Sequence, residues 1–323
     1  MTILVTGAAG FIGLHVAARL LADGNQVIGI DNMNAYYDVS LKQARLDRLT
    51  RLPGFHFRQL DVSDREAIHA LADEFPDVTR IVHLAAQAGV RHSLTDPYTY
   101  VTANVMGQVV MLELARRFEN LRHFVYASSS SVYGGNEDLP FSVEDRVEWP
   151  CSLYAATKRA DELIAASYAH IYGLPCTGLR FFTVYGPWGR PDMAAFLFAR
   201  AILAGEPIRV FNHGEMWRDF TYIDDIVAGV VAALERTPKG TPPHALYNLG
   251  NHRAEKLTDF IAVLEQALGR KAELRLEPMQ PGDVAHTFAD IEASRRDLGF
   301  DPTTPISVGL PKFVEWYRGY YAA

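Results

Sequence analysis

A chain of 323 residues, 49% hydrophobic and 21% charged, has room for a large core and reads as an ordinary soluble globular protein. Its net charge of −7 argues against a nucleic-acid or anionic-membrane surface, although a few local arginines suffice for an anionic ligand. No apolar run approaches about 18 residues, and Cys151 and Cys176 lack metal-type spacing, so we expect no membrane span, no metal and structural thiols.

In chain order, the first half alternates strand-like and helix-like segments. Strands are predicted at 3–6, 26–30, 55–59, 80–84, 123–127 and 177–180, with helices at 11–23, 65–74, 98–118 and 154–172 between them. That rhythm predicts an α/β fold, a doubly wound parallel sheet of the Rossmann kind. From about residue 181 prolines punctuate shorter elements, with helices expected at 225–235, 257–268 and 308–321. We therefore expect a dinucleotide-binding domain over 1–180, rejoined by the chain around 216–250, and a smaller ligand-covering region mainly within 181–323. The first basic residue is Arg19 and glycines interrupt the opening apolar stretch, so the expectation is a cytoplasmic protein without a leader.

Gly7-Ala-Ala-Gly10-Phe11-Ile12-Gly13 joins the first strand to the first helix. Glycines there permit a tight turn and close approach of backbone to a pyrophosphate at the helix N-terminus. The spacing departs from Gly-x-Gly-x-x-Gly, and such turns also recur for structural reasons. Asp31 ends the second strand, where a carboxylate holds ribose hydroxyls and repels a 2′-phosphate, which favours NAD over NADP. Asp61-Val62 follows the third strand and suits adenine contact or, equally, an N-cap of the next helix.

The fifth strand runs into Ser128-Ser129-Ser130-Ser131-Val-Tyr-Gly134, at the end of a parallel strand where ligands bind. Serine clusters are also ordinary turn chemistry. Downstream stand Tyr154 and Lys158, four apart and so on one helix face. An ammonium there favours the phenolate, and Ser129 shares the hydroxyl that the phenolate deprotonates, which makes a Ser-Tyr-Lys proton relay beside a hydride acceptor. Without that chemistry Tyr154 is a half-buried helix tyrosine. His83 and His123 read as packed strand residues, with His213 and His286 nearer the nucleotide region.

These strings, with His83-Leu84-Ala85-Ala86, resemble the extended short-chain dehydrogenase family over essentially the whole chain. Within it the chain is similar to the UDP-glucuronate 4-epimerases. The resemblance lies in residues 31–38, in Gln87-Ala-Gly-Val-Arg91, and in 180–193, 211–225 and 279–283. It implies NAD held by Gly7, Gly10, Phe11, Ile12, Gly13, Asp31, Asn32, Lys42, Asp61, Val62, Leu84, Ala85, Ala86, Asn104, Tyr154 and Lys158. It also implies a UDP-sugar held by Arg91, Ser130, Ser131, Thr183, Arg190, Val210, Arg218 and Asp283, with Arg218 on the diphosphate and Asp283 on the uridine ribose.

The implied reaction oxidises C4 to a ketone and restores it on the opposite face, inverting UDP-glucuronate to UDP-galacturonate. Ser130, Ser131, Thr183 and Arg190 would surround the C5 substituent, and four donors suit a carboxylate better than a CH₂OH. UDP-glucose/UDP-galactose 4-epimerase and UDP-glucuronate decarboxylase remain alternatives. A 4,6-dehydratase fits poorly, because Ser130 and Ser131 stand where its Asp-Glu pair is needed. A non-catalytic NAD-binding regulator would not need Ser129, Tyr154 and Lys158 together. Helices 98–118 and 154–172 are apolar on more than one face, which predicts a homodimer through a four-helix contact; burial under the C-terminal region is the other account.

Overall fold

The protein is described by a computed structural model over residues 1–280 and 284–322. Among these, β1 (Thr2–Thr6), β2 (Gln26–Asp31), β3 (Phe55–Gln59), β4 (Val78–His83), β5 (His123–Ser129), β6 (Cys176–Phe181) and β7 (His244–Leu249) form one sheet. All pairs are parallel, in the order β7-β6-β5-β4-β1-β2-β3. Such a sheet is covered on both faces, which is why the middle of β1, Ile3-Leu4-Val5, is apolar without alternation. Ile3 and Val5 enter one buried cluster and Leu4 the other, the two-residue alternation of a strand buried on both sides. The first cluster continues through Phe182, Phe220 and Phe260 to Phe313, so residues beyond 181 share the core of the sheet.

Thr6 lies beside Ile30 of β2 and His83 of β4. The chain works outward from β1 to β3, then crosses back to β4, and the loops leaving β1 and β4 diverge. That reversal opens a crevice at the C-terminal strand ends.

The helices have local causes. Ser152 caps Leu153–Tyr172 by accepting from the Ala155 N–H at 3.1 Å, and Gly173, at φ +64°, supplies the left-handed residue that stops it. The stretch predicted as one helix at 65–74 is two pieces, Arg65–His69 and Leu71–Glu74. The one predicted at 98–118 runs from Pro97 to Ala115 and contains a π-helical segment at Val101–Met106. Outside the sheet, three two-stranded pairs form beyond residue 181: Thr183–Tyr185 with Phe220–Tyr222, Trp217–Arg218 with Glu255–Lys256, and Ile208–Val210 with Leu274–Leu276. No helix among the described residues is long and apolar enough to cross a membrane.

Candidate active site

The loop leaving β1 is built around absent side chains. Gly7 adopts φ +71°, and a Cβ there would stand 2.9 Å from the Ala85 nitrogen. A Cβ on Gly13 would meet the Gly7 carbonyl oxygen at 1.9 Å, an impossible contact. The Gly10 N–H closes the turn on Gly7 O at 2.9 Å, and helix Phe11–Ala22 begins with no side-chain cap. Its first N–H groups are therefore directed at the crevice with no side chain satisfying them, a ready site for an anion.

Asp31 closes β2 with one oxygen on the Ala9 N–H at 3.2 Å and the other on the Met33 N–H at 2.9 Å. Lys42 lies 3.7 Å from that carboxylate and donates to Asn34 Oδ1 at 2.8 Å. Burial lowers the Lys42 ammonium from its usual range, and Asp31 opposes the drop. Asp61 accepts from Asn32 Nδ2 at 2.8 Å and from the Ser63 N–H at 2.9 Å. Burial works against its charge, yet those bonds hold its carboxyl below the usual range. The cap of the Arg65–His69 helix is Asp64, which frees Asp61 for the crevice. A glycine cradle, an uncapped helix start and a carboxylate at the end of β2 fit a dinucleotide.

Ser129 ends β5 and exchanges hydrogen bonds with Ser131, its Oγ 3.2 Å from both the Ser131 hydroxyl and N–H. Tyr154 meets Tyr100 edge-on, ring centroids 6.1 Å apart. Lys158 is buried, donating to Ala127 O at 2.9 Å and to Asp161 Oδ2 at 3.0 Å. Behind them Glu162 takes Arg180 Nε and Nη2 on its two oxygens at 2.8 and 3.0 Å, plus the Ser128 hydroxyl at 2.6 Å. This buried pair ties helix Leu153–Tyr172 to β5 and β6 beneath the reacting groups. Asn104, in the π-helical turn, binds the Gln87 N–H and C=O and Thr157 Oγ1 at 2.8, 3.1 and 3.0 Å, so it braces the helix between Tyr154 and Lys158. Burial, with Lys158 nearby, lowers His83 to about 3, so its ring is neutral.

One cavity of about 450 Å³ joins these groups. It is lined by Gly7, Gly10, Phe11, Ile12, Gly13, Asp31, Asn32, Lys42, Asp61, Val62, Leu84, Ala85 and Ala86 at one end. Ser129, Tyr154 and Lys158 lie along it, with Ser130, Ser131, Thr183, Arg190 and Arg218 beyond. Arg190 places Nε and Nη2 on Asp192, which also accepts from the Tyr36 hydroxyl at 3.1 Å. Arg218 donates to Trp217 O at 2.9 Å and Ala285 O at 3.1 Å.

Three expected residues stand elsewhere. Asn104 supports the cavity without lining it, Val210 is fully buried in its short strand, and Arg91 lies over the Phe211 ring at 4.6 Å. Asp283 falls outside the described residues. His83 and His123 are packed and bonded as expected, and neither His213 nor His286 lines the cavity; His286 stacks on Trp217. Tyr36 and Asp192 were missed as site residues, since nothing local links positions so far apart.

Residues 3–250 match the NAD dependent epimerase/dehydratase family. UDP-glucuronate 4-epimerase 4 of Arabidopsis thaliana is 49% identical, over 100% of this chain and 76% of that protein. Among solved structures, a UDP-glucuronic acid 4-epimerase from Bacillus cereus, in complex with UDP-glucuronic acid and NAD, superposes with a TM-score of 0.92 at 35% identity, covering 99% and 100% of the two chains. A UDP-glucose 4-epimerase from Thermotoga maritima, with UDP-glucose, gives 0.89 at 30% identity, over 99% and 100%. The chain belongs to the NAD-dependent epimerase/dehydratase family.

Proposed function

We propose that this NAD-dependent nucleotide-sugar 4-epimerase acts on UDP-glucuronate and UDP-galacturonate. One observation carries the reading: Ser129, Tyr154 and Lys158 share a cavity with four polar donors, Ser130, Ser131, Thr183 and Arg190, at its sugar end. A carboxylate on C5 suits such a set of donors better than a neutral CH₂OH, and Arg190, although paired with Asp192, adds positive charge at that end. The relative's complex with UDP-glucuronic acid and NAD supports the same substrate.

Tyr154 takes the proton of the C4 hydroxyl, Ser129 holds that oxygen, and Lys158 stabilises the phenolate. NAD, when bound on the glycine loop and Asp31, supplies the reversible hydride chemistry. Inversion demands that the oxidised sugar present its other face before C4 is restored. The nucleotide must then be gripped while the sugar turns. Arg218 serves the diphosphate, and Asp283 is assigned to the uridine ribose.

A ketone at C4 lies β to the carboxylate, and CO₂ is lost when the C5–carboxylate bond aligns with the carbonyl π system. Ser130, Ser131, Thr183 and Arg190 hold the carboxylate out of that alignment. Incubation with UDP-glucuronate, with products resolved, tests the assignment: UDP-galacturonate is expected, with little UDP-pentose. Faster turnover of UDP-glucose would move the substrate to the neutral sugar, and no turnover of either would leave a binding protein.

The same reading includes a homodimer. Tyr98, Val101, Met106 and Leu163 are 82%, 49%, 52% and 56% exposed on the Pro97–Ala115 and Leu153–Tyr172 helices, an apolar face that a second copy would cover. Sedimentation at micromolar concentration should give twice the chain mass; a one-chain species removes the dimer.

A further inference from the structure

Lys158 has three N–H donors. Two are spent inside the protein, on Ala127 O and on Asp161 Oδ2, which leaves one for a ligand in the cavity. The side chains of Lys158 and Asp161 are only 5% and 2% exposed. Asp161 Oδ1 has no hydrogen-bond partner among the described residues, so Lys158 is its principal stabilising contact. A buried carboxylate left half unsatisfied is costly and is not needed for helix packing, since Glu162 already ties the helix to the sheet.

The other charged and titratable groups around this pair are engaged elsewhere. Glu162, next along the helix, is taken up by Arg180 of β6, Ser128 and Arg159. From β5, Tyr126 faces Asp161 and shares a hydrogen bond with His244 of β7 at 2.9 Å. Neutral His83 of β4 faces Lys158, and Tyr100 of the neighbouring helix faces Tyr154 with its hydroxyl on Ala88 and Gly89 carbonyls. Tyr133, at the end of the serine loop, is bonded to Asn248, and Glu113 meets Tyr168 further along the helix.

We propose that Asp161 is a positioning residue that anchors the Lys158 ammonium and sets how much of its positive charge Tyr154 feels. The role rests on Tyr154 being the base. Its carboxylate offsets the ammonium and so weakens the support that Lys158 gives a negative charge on Tyr154. Burial, opposed by Lys158, raises Asp161 to about 6, so its charge changes inside the working pH range. Because that value lies above the unfolded one, the ionised carboxylate weighs against the fold above about pH 6, and the penalty is relieved as pH falls.

The test is the pH profile of kcat for wild type, Asp161→Asn and Tyr154→Phe, with bound NAD and melting temperature measured on each. Asp161→Asn keeps an acceptor for Lys158, so it should fold and retain NAD, and its acid limb should move down by roughly 0.5–1 pH unit. The melting difference, wild type minus Asp161→Asn, should grow from pH 7 to pH 5. Coincident acid limbs, with Tyr154→Phe inactive, overturn the role of Asp161 and leave the base assignment standing. An active Tyr154→Phe overturns the base assignment itself. Should the Asn variant not fold, Asp161→Ser, smaller and uncharged, reads the same limb.

Discussion

Gly7, Gly10 and Gly13 reach the cavity from a single strand–helix turn, whereas Ser130, Thr183, Arg190 and Arg218 come to its other end from four separate segments. The dinucleotide end works through backbone: exposed N–H groups, a tight turn, and no room for a Cβ. The sugar end works through side chains carried by loops and two-stranded pairs. A backbone site tolerates little change and serves one ligand shape. A side-chain site can be altered residue by residue, so on the proposed reading substrate choice would lie at that end.

The sharpest way to separate the ends is to remove chemistry at their junction. Tyr154→Phe should lower kcat by about 10³-fold, within the range for a general base, with NAD content of the purified protein unchanged. Loss of both together would mean that retention of NAD depends on the phenol hydroxyl and not on the glycine loop alone. Gly13→Ala attacks the dinucleotide end alone. Its Cβ would be driven into Gly7 O, so the protein should purify without NAD and melt lower. Full NAD content in that variant would show that the loop can move aside, and the contrast between rigid and adjustable ends would fail.

At the sugar end the expected effects are smaller and concern product rather than rate. Thr183→Val with Ser130→Ala should keep NAD and most turnover but raise the fraction of decarboxylated UDP-pentose several-fold. An unchanged product ratio would mean that these hydroxyls do not restrain the carboxylate.

Legibility in the sequence follows the same division. The strand at Phe55–Gln59 and helix Leu257–Leu268 fall where their patterns put them, the other five predicted sheet strands differ at their ends by one or two residues, and the edge strand His244–Leu249 was not predicted as a strand. Local signals sufficed for the glycine loop, Asp31, Ser129, Tyr154 and Lys158, because each sits at a strand end or on a helix face fixed by its own neighbours. The bridge from Tyr36 to Asp192 spans 156 positions and had no local signal. The π-helical turn was hidden too, since one wide turn barely alters an apolar period, and buried Asn104 lies within it. Arg91 lies over the Phe211 ring and Val210 is buried in its short strand, placements set by packing between distant segments. A motif names neighbours in sequence, and packing decides which of them face the ligand.

The mildest test asks whether even the backbone end contains one adjustable side chain. Asp31 accepts from Ala9 and Met33 and also offsets Lys42 across 3.7 Å. Asp31→Asn keeps an oxygen for one of those N–H groups, so the turn should survive. It removes the negative charge that repels a 2′-phosphate and leaves the Lys42 ammonium without its counter-charge. Without that counter-charge the Lys42 ammonium is left to an incoming phosphate. Affinity for NAD should then fall and that for NADP rise, narrowing their ratio about tenfold, or about 1.4 kcal/mol, without inverting it. Titration of both cofactors into stripped protein measures this directly. An unaltered ratio would place the discrimination in the shape of the crevice rather than in the Asp31 charge.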